Sequence, residues 1–188
     1  MPLVSGGYPP KSDVQAAAGG VGVLARYNLD RRDATSDTAA LTTQVMTSVA
    51  VNLQAGDRIA SLAFRSGATA AGTPTNWWFA LYDPSGNLLS QTADQTTTAW
   101  AADTVKDLAL ASAQQIAVSG VYYAAIMVKA TTPPSLVGAT FGRAGVSTGL
   151  LSTDKVLAQT SGSALTTTAP ATIATPTAIA ACPLVVAH

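Results

Sequence analysis

The sequence has few charged side chains, one histidine and one cysteine. Only 11% of its 188 residues are Asp, Glu, Lys or Arg, whereas about a quarter is usual for a soluble domain. Because charged side chains keep free monomers apart in solution, a surface made of Ala, Thr, Ser and Gly is typical of a chain that neighbouring subunits cover. The low charge therefore favours a component of a larger assembly.

The formal net charge is zero, with ten basic and ten acidic residues. Binding to a phosphate backbone or to an anionic membrane needs clustered Lys and Arg, but the densest basic cluster alternates with carboxylates. In it, Arg26, Arg31 and Arg32 lie among Asp30, Asp33 and Asp37. We therefore expect no nucleic-acid or membrane partner. Residues 1–7 lack the pattern of a secretory signal, so we expect synthesis in the cytoplasm.

The single cysteine and the single histidine restrict the chemistry of the chain. Cys182 excludes an intramolecular disulfide and a four-thiolate metal site, and its uncharged neighbours predict a small buried side chain. With His188 as the one histidine, the usual zinc ligand set cannot form. We predict neither a resident metal nor a cofactor. An adventitious calcium ion at Asp30, Asp33 and Asp37 remains as an alternative.

Two short patterns resemble enzyme motifs but lack their context. Residues 145–149, Gly-Val-Ser-Thr-Gly, match a nucleophile elbow, which needs a strand before it, a helix after it and a histidine base. No helical pattern follows, and the one histidine is at position 188. Residues 20–25 fit a dinucleotide fingerprint without the alternating strands and helices of that fold. We predict no catalytic residue and no enzymatic activity.

From residue 43 onward, β-branched and apolar residues recur in short runs that turn signals separate. The runs predict strands at 44–53, 58–66, 76–82, 87–92, 105–110, 121–129, 135–141 and 183–187. Residues 121–129 are apolar on both faces, as expected of a central strand. Turns are predicted at 54–57 and at 83–86, where Asp-Pro-Ser-Gly favours a type I turn. The fold class expected is all-β, an antiparallel, jelly-roll-like β-sandwich.

The two ends of the chain differ from the middle. Residues 1–42 have no period-two pattern and contain Pro and Gly breakers, so they are predicted to form an extended N-terminal arm, followed by a sandwich domain at 43–188. A Thr/Ala/Pro-rich segment lies at about 150–180, and its composition is compatible with a disordered stalk. Its low charge and interspersed isoleucines are equally compatible with an extended excursion that returns a last strand to the sheet.

Aromatic side chains are the candidate binding residues. Exposed aromatics on a sandwich can stack on sugar rings, and large aromatics also fill cores and interfaces. The candidates are Trp77, Trp78, Trp100, Tyr122 and Tyr123. Since adjacent strand residues point to opposite faces, we expect one of Trp77 and Trp78 in the core and the other on the outer face or at a subunit contact. The candidate anchoring residues of the arm are Tyr8, Arg26, Tyr27, Arg31 and Arg32.

Three parts of the sequence resemble β-rich virion proteins of tailed phages. They are residues 64–83, with the run Asn-Trp-Trp-Phe-Ala-Leu-Tyr-Asp, residues 88–94 with 97–100, and Ser-Gly-Val-Tyr-Tyr at 119–123. In phages of actinobacteria, similar segments occur in proteins described as minor tail, head-fibre or capsid-decoration components. The resemblance covers about residues 30–141 and brings no catalytic residue with it.

The resemblance implies a non-enzymatic virion structural protein, synthesised in the host cytoplasm. The arm, the low charge and the small size favour the capsid exterior over the tail as its location. Its expected partners are the major capsid protein and further copies of the chain, with a homotrimer favoured. The expected role is that of a capsid decoration, or minor capsid, protein that binds the outside of the shell and stabilises it. The alternative is a minor tail or fibre module that binds host cell-surface carbohydrate.

Overall fold

A computed structural model of the protein describes residues 24–188, in which 45% of the residues are in strands and bridges and 2% are helical. The elements of this part of the chain are β1 (Arg26–Tyr27), β2 (Ser36–Asp37), β3 (Met46–Leu53), β4 (Arg58–Arg65), β5 (Asn76–Tyr82), β6 (Leu88–Gln91), β7 (Val105–Gln115), β8 (Gly120–Lys129), β9 (Val137–Thr140), α1 (Ala144–Ser147), β10 (Ala158–Ser161), β11 (Thr177–Ala178), β12 (Ala181–Pro183) and β13 (Val185–Ala187). Every strand pair is antiparallel.

The strands form three sheets. One has six strands in the order β11-β10-β3-β8-β5-β6, one has four in the order β1-β13-β4-β7, and one has three in the order β12-β9-β2. The main hydrophobic core contains side chains from both larger sheets and therefore lies between them. The predicted all-β antiparallel sandwich is confirmed, while jelly-roll connectivity stays a prediction.

Strand β8 is the centre of the six-stranded sheet. It pairs with β3 along one edge and with β5 along the other. Tyr122, Ala124 and Ile126 point into the main core, and Tyr123 and Met127 point to the opposite face, where a second core lies. The prediction of a central strand with two apolar faces is confirmed, because both faces of this sheet are covered.

The second core lies on the outer face of the six-stranded sheet and includes Trp78 and Tyr82. Residues 162–176, which we call the strap, cover this face with Leu165, Ala169 and Ile173. Backbone hydrogen bonds fix both ends of the strap, from Leu165 N to the Gln44 carbonyl (3.1 Å) and from Ile173 N to the Gly86 carbonyl (2.8 Å). The Thr/Ala/Pro-rich segment is thus an extended excursion, after which β12 and β13 return to sheets.

The boundary of the expected arm is corrected. Within residues 24–42, β1 pairs with β13 and β2 pairs with β9, and the side chain of Leu41 joins the main core. Strands of two residues are too short to show a period of two, so no alternating pattern marks them in the sequence. The expected arm residue Tyr8 lies outside the described residues.

The two predicted turns have different roles. Gly86 N donates to the Asp83 carbonyl (2.9 Å), and the turn joins β5 to its hairpin partner β6. Asp57 N donates to the Gln54 carbonyl (3.0 Å), but this turn carries the chain from β3 in one sheet to β4 in the other. The turn at 54–57 is therefore a corner of the sandwich and not a hairpin.

Candidate functional site

Trp77 and Trp78 point to opposite faces of β5, as expected, but neither is exposed. Trp77 lies in the main core, where its Nε1 donates to the Thr98 carbonyl (2.9 Å). Trp78 lies on the outer face, where its Nε1 donates to the Thr166 carbonyl of the strap (2.7 Å). Trp77 thus lies in the core and Trp78 on the outer face, as expected, but the strap covers Trp78, so its ring is not exposed.

The other three candidate aromatics are buried as well. Trp100 stacks on Trp77 with ring centroids 5.0 Å apart, and the hydroxyl of Tyr122 donates to the Val118 carbonyl (2.9 Å). Tyr123 belongs to the second core, and burial raises the pKa of its hydroxyl. None of the five aromatic rings offers a face on which a sugar could stack.

Arg26 forms an ion pair with Asp57 within the domain. Its Nε and Nη2 donate to the two carboxylate oxygens of Asp57 at 2.7 and 2.8 Å. Asp57 also accepts from Gln54 N (2.8 Å). These hydrogen bonds, the one from Arg26 foremost, hold the pKa of the Asp57 carboxyl below its usual range despite burial. The pair joins β1 to the corner between β3 and β4, so Arg26 is a structural residue and not a free anchor.

Within the described residues, the remaining candidate anchoring residues lie near the surface. The Arg31 guanidinium lies over the Tyr27 ring, 5.4 Å from its centroid. Arg32 pairs with Asp30 at 2.7 Å, and its side chain is 80% exposed. Tyr27 and Arg31 border a depression of about 330 Å³, which we call the sheet depression. Its other lining residues are Ala63, Phe64, Arg65, Val105, Leu184 and Val186.

The serine of the elbow-like pattern is fully buried. Ser147 Oγ donates to the Ala158 carbonyl and accepts from Ala158 N, both at 2.9 Å. These bonds close the loop between α1 and β10. His188 Nε2 lies 3.1 Å from Asp107 Oδ1, beside the four-stranded sheet. Serine and histidine thus bind to different sheets, and each makes structural contacts.

The other reactive side chains also have structural partners. Burial raises the pKa of the Cys182 thiol to about 12, so the thiolate form is disfavoured near neutral pH. Asp37 accepts from Ala68 N (2.6 Å) and from Ser135 Oγ (3.1 Å), away from the pair of Asp30 with Arg32. Within residues 24–188, no group of three His, Cys, Asp or Glu side chains is arranged to hold a metal.

Strand β7 presents a surface that the sequence did not single out. It has eleven residues, Val-Lys-Asp-Leu-Ala-Leu-Ala-Ser-Ala-Gln-Gln, and stands at the end of the four-stranded sheet, where its named strand partner is β4. On its other side, contacts in the described chain are made near the end of β6. Leu110 forms an antiparallel bridge with Thr92, and Ser112 N donates to Ser90 Oγ. The exposed side chains of β7 include the small residues Ala109, Ala111 and Ser112. The alanines at the alternate positions 109, 111 and 113 were the available signal.

Neither a protein-family model, nor a curated protein, nor a solved structure matches the chain. Across the described residues, no helix is long and apolar enough to cross a membrane. Functional inference for this chain therefore depends on its own residues and surfaces.

Proposed function

We propose that the chain is a non-enzymatic structural protein of a bacteriophage particle, a capsid decoration protein that binds the outside of the major capsid shell and stabilises it. The observation that carries this proposal is strand β7 at the end of the four-stranded sheet, whose exposed side chains at Ala109, Ala111 and Ser112 are small and uncharged. The location on a phage particle comes from the sequence resemblance of residues 30–141.

An open edge strand carries unpaired backbone groups, and soluble proteins usually protect it with charges, Pro or a bulge. Strand β7 has a register shift opposite residues 59–61 of β4, but its charged residues are only Lys106 and Asp107. Such an edge is suited to be covered by a neighbouring protein. In a decoration protein, contacts of this kind in several copies add up through avidity to lasting attachment.

The alternative, a tail or fibre module that binds host carbohydrate, has less support. Stacking on a sugar needs an exposed aromatic face, and Trp77, Trp78 and Trp100 are each 1% exposed or less. The two functions also predict different binding partners, so one set of binding measurements separates them.

The test mixes the purified chain with phage shells that lack it and measures attachment by co-sedimentation. We expect saturable binding and a higher temperature of shell disruption. The variant Ala109→Lys/Ala111→Lys, which charges exposed positions on β7, should lower shell occupancy at least tenfold, whereas the control Ala174→Lys on the strap should bind normally. No binding to shells, together with binding to cell-wall polysaccharide, would replace the proposal with the alternative.

The anchoring role of the N-terminal arm must be tested with a deletion shorter than the predicted arm of residues 1–42. Residues 24–42 belong to the sandwich, so removing them would unfold the domain. Deletion of residues 1–23 leaves the described domain intact. If these residues anchor the protein, the deletion lowers shell occupancy, and undiminished occupancy would remove the anchoring role.

A further inference from the structure

Exposed large hydrophobic side chains are concentrated in one loop. Among the described residues they are Val105, Val118, Val146, Leu150, Leu151 and Leu157. Four of these six lie in residues 146–157, which we call the leucine loop. Leu150 is 97% exposed and Leu151 is 68% exposed. A cluster of this kind on a soluble domain marks a contact surface.

Hydrogen bonds hold the leucine loop in shape. The Asp154 carboxylate accepts from Leu150 N (2.8 Å) and Leu151 N (2.9 Å), and Asp154 N donates to the Leu151 carbonyl (3.0 Å). Gly149 has a φ of +85°, and a Cβ there would collide with the Asp154 side chain. The two leucines therefore project from a structured turn, so docking them costs little ordering entropy.

The sheet depression is concave, whereas the leucine loop projects from the surface. Its apolar lining includes Ala63, Val105 and Val186, and Val105 is itself 56% exposed. It shares no residue with the leucine loop, and the exposure of Leu150 shows that the loop of the same chain does not fill it. An apolar cavity of roughly 150 Å³ can hold a benzene ring, so the depression, at about 330 Å³, has room for leucine side chains.

Charge is complementary at the two surfaces. Arg31 and Arg65 border the depression, and Arg65 is exposed. Asp154, which is exposed, lies at the base of the leucine loop, and the Nζ of the neighbouring Lys155 donates to the Pro84 carbonyl (3.1 Å). A leucine loop seated in the depression brings this carboxylate toward the two guanidinium groups. Shape, polarity and charge thus match between two surfaces of the same sequence, which points to a second copy of the chain as the occupant.

We infer that the chain associates with itself by seating the leucine loop of one copy in the sheet depression of the next. Because the two surfaces differ, the contact is heterologous, and each copy has one loop and one depression to offer. Repetition of this contact closes a ring or extends a chain. The inference concerns contacts between copies and holds whether or not the protein binds a capsid shell.

The test measures molar mass in solution by analytical ultracentrifugation. The loop variant is Leu150→Ser/Leu151→Ser, and the depression variant is Val105→Asp/Arg65→Glu. The matched control is Val118→Ser, which changes a residue that is 70% exposed and lies outside both surfaces. We expect the full chain and the control to form the same multimer, and each of the two variants to be monomeric. All substituted residues are exposed, so far-UV circular dichroism should be unchanged.

Mixing the loop variant with the depression variant gives the most specific test of the contact. The loop variant keeps an intact depression and the depression variant keeps an intact loop, so an equimolar mixture should form a heterodimer and nothing larger. The inference is overturned if the full chain is monomeric at its highest soluble concentration, if either variant keeps the multimer, or if the mixture stays monomeric. Dissociation of the Val118→Ser control would also overturn it, because the effect would then not be specific to the two surfaces.

Discussion

The strap can be tested as a structural layer by removing the side chains that it packs against the six-stranded sheet. In the variant Leu165→Ala/Ile173→Ala, both changes remove apolar atoms that contact the second core around Trp78. The backbone bonds of the strap to Gln44, just before β3, and to the β5–β6 turn remain available. The expected effect is a loss of packing without a change of fold.

The magnitude follows from the burial of the two side chains. Complete burial of a Leu or Ile side chain contributes about 1.5–3 kcal/mol, and both residues are of intermediate exposure. About half of that value is expected for each, or roughly 1.5–3 kcal/mol in the free energy of unfolding when the two losses are added. Urea denaturation followed by tryptophan fluorescence measures this loss, and Trp78 reports on the face that the strap covers.

The control is Thr168→Ala, an exposed position in the same strap. Its free energy of unfolding should stay within about 0.5 kcal/mol of the original chain. Limited proteolysis of the unchanged protein should spare the strap, since its carbonyls accept from Trp78 Nε1 and from the Tyr82 hydroxyl. Equal stability of the double variant and the control, with rapid cleavage in the strap, would refute the packed layer.

Two further predictions concern buried polar groups. The pKa of Asp57 is lowered in the folded state, so its stabilising effect is complete above the unfolded value of about 4 and is lost as the pH falls through the folded value. Arg26→Ala should lower stability by about 1.5–3 kcal/mol at neutral pH and weaken the acid dependence, which unfolding curves at several pH values measure. Ser147→Ala should cost about 1–3 kcal/mol, because the buried Ala158 N loses its acceptor, whereas the Ala158 carbonyl keeps its bond from Ile179 N. An unchanged melting temperature would contradict this structural role.

Sequence reasoning succeeded where the information was local. Strand β5 and the central strand β8 were predicted from continuous apolar runs, and the turn at 83–86 from its Pro and Gly. Strands β1 and β2 were missed, because each has two residues and depends on partners 100 or more residues away. Pairing of that kind leaves no periodic trace in a single sequence.

The burial of the aromatic residues could be predicted only in part. The rule that adjacent strand residues face opposite sides placed Trp77 and Trp78 correctly relative to each other. The cover over Trp78 comes from Thr166, 88 residues further along the chain, through a backbone carbonyl. Any residue type supplies such a carbonyl, so composition could not distinguish a strap from a disordered stalk.

The two proposed contact surfaces meet at Val105, which begins β7 and also lines the sheet depression. A neighbour seated in the depression therefore lies beside the start of the edge strand, whereas Ala109 and Ala111 do not line the depression. Copies joined in this way present their β7 edges at a fixed spacing. A weak contact between one edge and a shell then repeats at that spacing, and the effective concentration of each further contact rises. Loss of the leucine loop should accordingly weaken shell attachment even though the loop is not part of β7.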